Sequence, residues 1–181
     1  MEQKNFGALK TELQLKAKNG IDFISAAGIV WFLIYIIWSL ELTAFNKSVF
    51  TFMVGAVLLP LAFVFSKVFK TQWKLKENPL QPLGLWLNFA QLIYFPFLFF
   101  LLMEDPDHFV MGYAIITGAH LFPYAWLYDE MGYAVVAVLI SLGSYLLALN
   151  VGVPQVAYIP LATSIVLLLF AVWMFLRIRR K

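Results

Sequence analysis

Apolar residues fall into long runs separated by short polar punctuation. Phe23 to Leu40 is uncharged, reading "FISAAGIVWFLIYIIWSL", and Val49 to Phe65 follows after the polar connection "ELTAFNK". The cationic stretch "SKVFKTQWKLKENP" closes that second run. Leu83 to Met103 ends at the acidic "EDPDH", and Phe109 to Tyr128 ends at Asp129 and Glu130. No charge then appears from Met131 to Leu176, a run too long for one helix, and "NVGVPQ" (Asn150 to Gln155) divides it. Gly and Pro mark a turn there. A helix of about 20 apolar residues matches the thickness of a bilayer's hydrocarbon core. The pattern therefore predicts an all-α polytopic membrane protein. Six spans are expected over residues 22–41, 48–67, 83–103, 109–128, 131–149 and 155–176, within a membrane domain of residues 21–176. Ahead of them, Phe6, Leu9, Leu13 and Ala17 recur at helical spacing among lysines. Residues 1–20 thus read as an amphipathic helix in the cytoplasmic interface. A solvated charged tail with chance periodicity is the alternative.

Basic residues set the orientation. Lys4, Lys10, Lys16 and Lys18 precede the first span, and Lys67, Lys70, Lys74 and Lys76 lie between the second and third. Arg177, Arg179, Arg180 and Lys181 form a basic tail over residues 177–181. These groups share one side only if the spans number six, which puts both termini in the cytoplasm and "EDPDH" outside. The first run is too long for a signal h-region, and "SLELTAFN" is a poor cleavage site, so a retained span is expected. Trp73, Trp86, Trp126 and Trp173 fall near cytoplasmic ends and Trp38 near the outer end, as an aromatic belt would. Trp31 lies mid-span and reads as helix packing.

Composition agrees. The 181 residues are 62% hydrophobic and 13% charged, against about 45–50% and 25% in globular domains. There are no cysteines, which excludes disulfides, thiolate chemistry and Cys-bound metals. No GxxxxGK[ST] phosphate loop and no HExxH occur. The two histidines lie at opposite depths, so no metal site and no cofactor are expected. No serine nucleophile with an adjacent base can be assembled, and the chain reads as a non-enzyme. The net charge of +3 is accounted for by topology and gives no support to nucleic-acid binding.

"GAVLLPLA" (Gly55 to Ala62) and "GAHLFPYA" (Gly118 to Ala125) match at Gly, Ala, Leu, Pro and Ala, and "PLA" recurs at Pro160 to Ala162. Three helical hairpins related by an axis along the membrane normal would produce this; so would shared membrane-helix composition. Kinks are expected at Pro60, Pro96, Pro123 and Pro160, since proline frees the carbonyl four residues earlier.

The most specific constellation is polar. His120 lies within roughly 2–3 Å of its span's midplane, with Tyr124 one turn away on the same face and Thr117 on the other side. Asn88 and Gln91 are i, i+3 neighbours on the preceding antiparallel span, followed by Tyr94. Counting from the span centres pairs Gln91 with His120 and Asn88 with Tyr124. A buried ionisable residue in a membrane points to function, and histidine changes charge near neutrality. Interhelical hydrogen bonding is the structural alternative for the same residues. Asp22 reads as a headgroup-facing residue or a helix cap, and Asp129 and Glu130 as a solvated turn. Glu104, Asp105, Asp107 and His108 offer oxygen ligands but read as solvated charge.

The segments "NPLQPLG" (Asn78 to Gly84), "LIYFP" (Leu92 to Pro96) and "GAHLFPYAWLY" (Gly118 to Tyr128) resemble a family of small bacterial integral membrane proteins classed as a domain of unknown function. Ala125 stands where that pattern leads one to expect glycine. The resemblance implies a bacterial cytoplasmic membrane and six helices, and transfers no activity, cofactor or ligand. Three functions then stand in order. The first is a small-solute or ion transporter or channel, as a homo-oligomer in the lipid bilayer, centred on His120, Tyr124, Gln91, Asn88 and Thr117. The second is an accessory or sensing protein acting through partner helices. The third is a lipid-acting enzyme with His120 as base.

Overall fold

The computed structural model describes residues 6–152 and 155–179. Lys4, Pro154, Arg180 and Lys181, which entered the topology and turn arguments, lie outside the described residues. The fold is all-α. Among the described residues nine α-helices follow in order: α1 (Phe6–Ala17), α2 (Ile21–Ser39), α3 (Ala44–Gly55), α4 (Leu58–Phe69), α5 (Gln81–Ile93), α6 (Phe95–Glu104), α7 (Phe109–Leu127), α8 (Gly132–Asn150) and α9 (Tyr158–Arg179). α3 and α4 form one interrupted rod, and so do α5 and α6. Five helical segments are long and apolar enough to cross a membrane. α7 is as long as α8, at 19 residues, but is not among the five because its polar residues dilute its hydropathy.

Helix ends follow local chemistry. Lys18, Asn19 and Gly20 all take left-handed backbone conformations, with φ of 46°, 53° and 71°, and turn the chain sharply from α1 into α2. Glycine carries such a φ without strain. Gly20 has a second constraint: a Cβ there would come 3.1 Å from Tyr133 Oη. Thr43 caps α3, its hydroxyl accepting from Asn46 N–H at 3.3 Å. Lys70 ends α4 in the left-handed region.

The prolines divide into two groups. Pro60 and Pro96 stand in the first turns of α4 and α6, immediately after the breaks at Ala56–Val57 and Tyr94. Proline lacks the N–H that would continue the preceding helix, and both rods are interrupted there. Pro160 likewise opens α9 rather than bending it, and the Val156 carbonyl accepts from Ile159 N–H at 3.0 Å. Pro123 alone sits inside a helix, α7. The matched octapeptides therefore differ in structure. Gly55–Ala62 spans a break, while Gly118–Ala125 lies in an uninterrupted helix clamped against α8.

α2 packs on α4 and α9, α9 on α8, α8 on α7, and α7 on α5. α3 meets α6 and α7 at one end of the bundle, whereas α4 and α5 make at most marginal contact. The bundle has a basic end, with α1 and the 70–80 loop, and an acidic end, with "EDPDH". At the acidic end Asp105 and His108 pair at 2.8 Å, half-exposed. Lys47, the basic residue of that end, donates to the Trp38 carbonyl at 3.1 Å.

Candidate functional site

The site is built on α7. Tyr113, Thr117, His120, Tyr124 and Tyr128 follow at spacings of four, three, four and four residues, which aligns them on one helix face. That face looks into a cavity of about 340 Å³. The cavity takes in all five polar residues singled out in the sequence: Asn88 and Gln91 from α5, and Thr117, His120 and Tyr124 from α7.

The pairing of Asn88 with Tyr124 is realised through a shared acceptor. Tyr124 Oη donates to the Gly84 carbonyl at 3.0 Å, and Asn88 Nδ2 donates to the same oxygen at 3.1 Å. This fixes the first turn of α5 to α7. The pairing of Gln91 with His120 is not made: the two share the cavity, but no hydrogen bond joins them among the described residues. His120 Nε2 is buried and has no hydrogen-bond partner, and its ring packs 5.3 Å from that of Tyr124. Helix bridging does not account for that nitrogen. A buried polar atom without a partner carries a cost of about 1–3 kcal/mol, which a bound molecule would remove.

Several residues assigned elsewhere belong to this site. Asp22, read as a headgroup-facing or capping residue, is only 1% exposed and lies on the cavity wall. Its Oδ2 accepts from Thr71 Oγ1 and Trp73 Nε1, both at 2.6 Å, and its Oδ1 from Phe23 N–H at 3.0 Å. Trp73, read as part of the aromatic belt, is exposed, yet its indole N–H reaches Asp22 and its ring packs 5.0 Å from Phe23. Tyr128 joins Tyr124 and Tyr133 in a cluster with ring separations of 5.7–5.8 Å. Tyr133 Oη donates to the Asn19 carbonyl at 2.5 Å, tying α8 to the left-handed turn. Trp31 is buried as expected, but it packs on Tyr113 at 5.2 Å and lines the cavity. The i±4 extension of the His120–Tyr124 face to Tyr113 and Tyr128 was readable. The contact of Trp73 with Asp22 was not, because it depends on the 70–80 loop.

Glu130 requires a correction. Expected in a solvated turn, it is 4% exposed and paired with Arg177 of α9, while its neighbour Asp129 stays exposed at φ 49°. The turn folds Glu130 under the end of α9, where a carboxylate needs a partner.

The two ends of the cavity differ. One turn beyond Gly55, Phe52 packs on Phe95, Phe99 and Phe109 at 5.8, 5.1 and 5.1 Å. This aromatic cluster joins α3, α6 and α7 toward the acidic end. Gly55 makes room for Tyr113, since a Cβ there would meet Tyr113 Oη at 2.9 Å. Toward the basic end the lining passes through Gln72 and Lys74, both exposed. α1 covers part of that end. The Lys16 carbonyl accepts from Gln72 N–H at 2.9 Å, the Leu9 carbonyl from Asn78 Nδ2 at 2.9 Å, and the Phe69 carbonyl from Lys18 Nζ at 2.6 Å. α1 thus rests its buried face on protein.

Two of the three segments behind the family resemblance line this cavity: Gln81 and Gly84 from the first, and the α7 face from the third. The chain belongs to a family of unknown function (DUF7010), whose model matches residues 6–177. No curated protein and no solved structure matches it. Among the described residues no group of three or more His, Asp or Glu side chains is placed to hold a metal.

Proposed function

We propose that this is a six-span cytoplasmic-membrane transporter for a small solute, with both termini and the basic end in the cytoplasm. The observation that carries the reading is the cavity of about 340 Å³, shared by His120, Asn88, Gln91, Thr117 and Tyr124 and bounded by two interrupted rods. Its size lies within the range of small-molecule sites. Interrupted helices around a mid-membrane polar site are a recurring feature of secondary transporters. The phenylalanine cluster at the acidic end serves as the outer gate, and the path past Gln72 and Lys74 as the inner mouth. Transport needs the cavity to face each side in turn, which a fixed channel does not.

The lipid bilayer surrounds α4, α5 and α6, whose outward faces are apolar. No carboxylate hydrogen-bonds to His120 among the described residues, which favours binding over general-base catalysis. The three-hairpin arrangement is the less favoured account of the repeat, because the matched segments adopt different structures.

The absence of cysteine makes the test direct. Single cysteines at Thr117 and Phe99 are labelled in sealed vesicles with a membrane-impermeant thiol reagent, added to one side at a time. The proposal expects Thr117→Cys to react from both sides and Phe99→Cys from outside. Reaction of Thr117→Cys from the cytoplasmic side alone, under every condition, would favour a sensing protein.

A further inference from the structure

The cavity wall carries an unusual combination of charge and aromatic surface. Asp22 is an almost fully buried carboxylate, and its partners are a hydroxyl, an indole N–H and a backbone N–H. No Lys or Arg pairs with it among the described residues. Lys74 is the one Lys or Arg side chain lining the cavity among the described residues, and it is exposed at the mouth. Hydrogen-bond donors alone hold the charge, and buried anions are ordinarily met by a cation. Next to Asp22 the wall is aromatic. Phe23, Trp73, Tyr128 and Tyr133 contribute, with Tyr124 packed on the last two and Trp31 further along α2. Aromatic faces attract cations, and rings grouped around a desolvated space are the recognised means of binding ammonium groups. Two other wall groups suit the neutral part of a ligand: the unpartnered His120 Nε2 and the Gln91 amide sit deeper, beyond the tyrosines.

We infer that the solute is a small organic cation, an ammonium group carried on an apolar or aromatic body. Its charge sits among the tyrosines near Asp22, and its body extends toward Trp31. The inference rests on the transporter reading for the role of the cavity, but it makes a separate claim about charge. Asp22 acts through its field and need not touch the ligand. In a low-dielectric wall that field reaches several ångströms further than in water. An anionic solute would meet the same field as repulsion.

A pair of ligands of equal shape isolates the charge. Binding of benzyltrimethylammonium and of its uncharged carbon isostere, neopentylbenzene, is measured by equilibrium dialysis on the full chain. The protein is held in zwitterionic nanodiscs, and binding to empty nanodiscs is subtracted. The wild type is expected to favour the cation at least tenfold. Asp22→Asn removes the charge, keeps one acceptor oxygen for Thr71 and Trp73 while losing the bond from Phe23 N–H, and should reduce that preference to within about twofold, with neopentylbenzene binding unchanged. Tyr128→Leu, which removes one ring and keeps Asp22, should weaken the cation alone, by several-fold. Equal binding of the two ligands by the wild type overturns the inference and leaves the small-solute cavity standing. Undiminished preference in Asp22→Asn also overturns it. Failure of both ligands to bind overturns the inference and the cavity reading together. The wild-type comparison decides even if Asp22→Asn does not fold.

Discussion

The bundle has two unlike halves. α2, α7, α8 and α9 touch backbone to backbone. A Cβ at Gly118 would lie 2.8 Å from Ser141 N and 3.0 Å from the Ala137 carbonyl. A Cβ at Gly28 would lie 2.6 Å from Leu168 Cδ2. Hydroxyls add to these contacts: Ser164 Oγ donates to the Gly28 carbonyl at 2.8 Å, and Ser141 Oγ to the Ile115 carbonyl at 3.2 Å. Small residues that allow close approach are the main means of packing helices in lipid. The other half, α3 to α6, is different. α5 has no buried residue at all, and Leu85, Trp86, Phe89 and Ile93 are exposed. Both of its rods are interrupted, and they meet through aromatic rings near the acidic end. The first group is a scaffold, and the α3–α4 rod packs along its α2; α5, by contrast, is held mainly by α7 beside the cavity. Elements that move in function come from the weakly held part of a structure.

The largest expected effect separates the halves by mutation. Gly118→Ala forces α7 off the α8 backbone and should destabilise the bundle by about 2–3 kcal/mol in reversible unfolding in mixed micelles. Gly143→Ala, in α8 with open space at its Cβ, should be neutral or stabilising by up to about 1 kcal/mol. Equal losses for both would dissolve the contrast.

Next in size is Arg177→Ala, which leaves Glu130 buried without its cation. About 2 kcal/mol should be lost, and Glu130→Gln should cost less because it removes the charge itself. Tyr133→Phe deletes the hydrogen bond to the Asn19 carbonyl and should cost about 1 kcal/mol. It should also speed amide exchange around the turn at residues 18–20. The smallest effect belongs to the loose half: Leu85→Ala, more than half exposed, should change stability by no more than about 0.5 kcal/mol. A loss as large as that of Gly118→Ala would mean that α5 is part of the scaffold.

Much of this was legible in the sequence for a physical reason. Apolar runs of bilayer length dictate helices, and the period of the helix puts Thr117, His120 and Tyr124 on one face. Depth counting across an antiparallel pair brought Asn88 to Tyr124, though through the Gly84 carbonyl rather than by direct contact. It brought Gln91 into the same cavity as His120 without joining them. Span-level hydropathy does not register a break, so Pro60 and Pro96 read as kinks although both rods are interrupted there. The surroundings of Asp22 and Glu130 were not legible, because each is decided by a partner far along the chain: Thr71 and Trp73 for one, Arg177 for the other. Local composition marks both acids as polar ends, and only the tertiary fold buries them.

The α5–α6 rod should move against a fixed scaffold around the cavity. Electron–electron distance measurement between paired spin labels in nanodiscs tests it most directly. One pair joins Leu85 of α5 to Val135 of α8; the other joins Val135 to Val172 of α9. All three side chains are exposed. Two distance populations are expected for the first pair and one narrow population for the second. A single narrow distance for both pairs, with and without benzyltrimethylammonium, would contradict it.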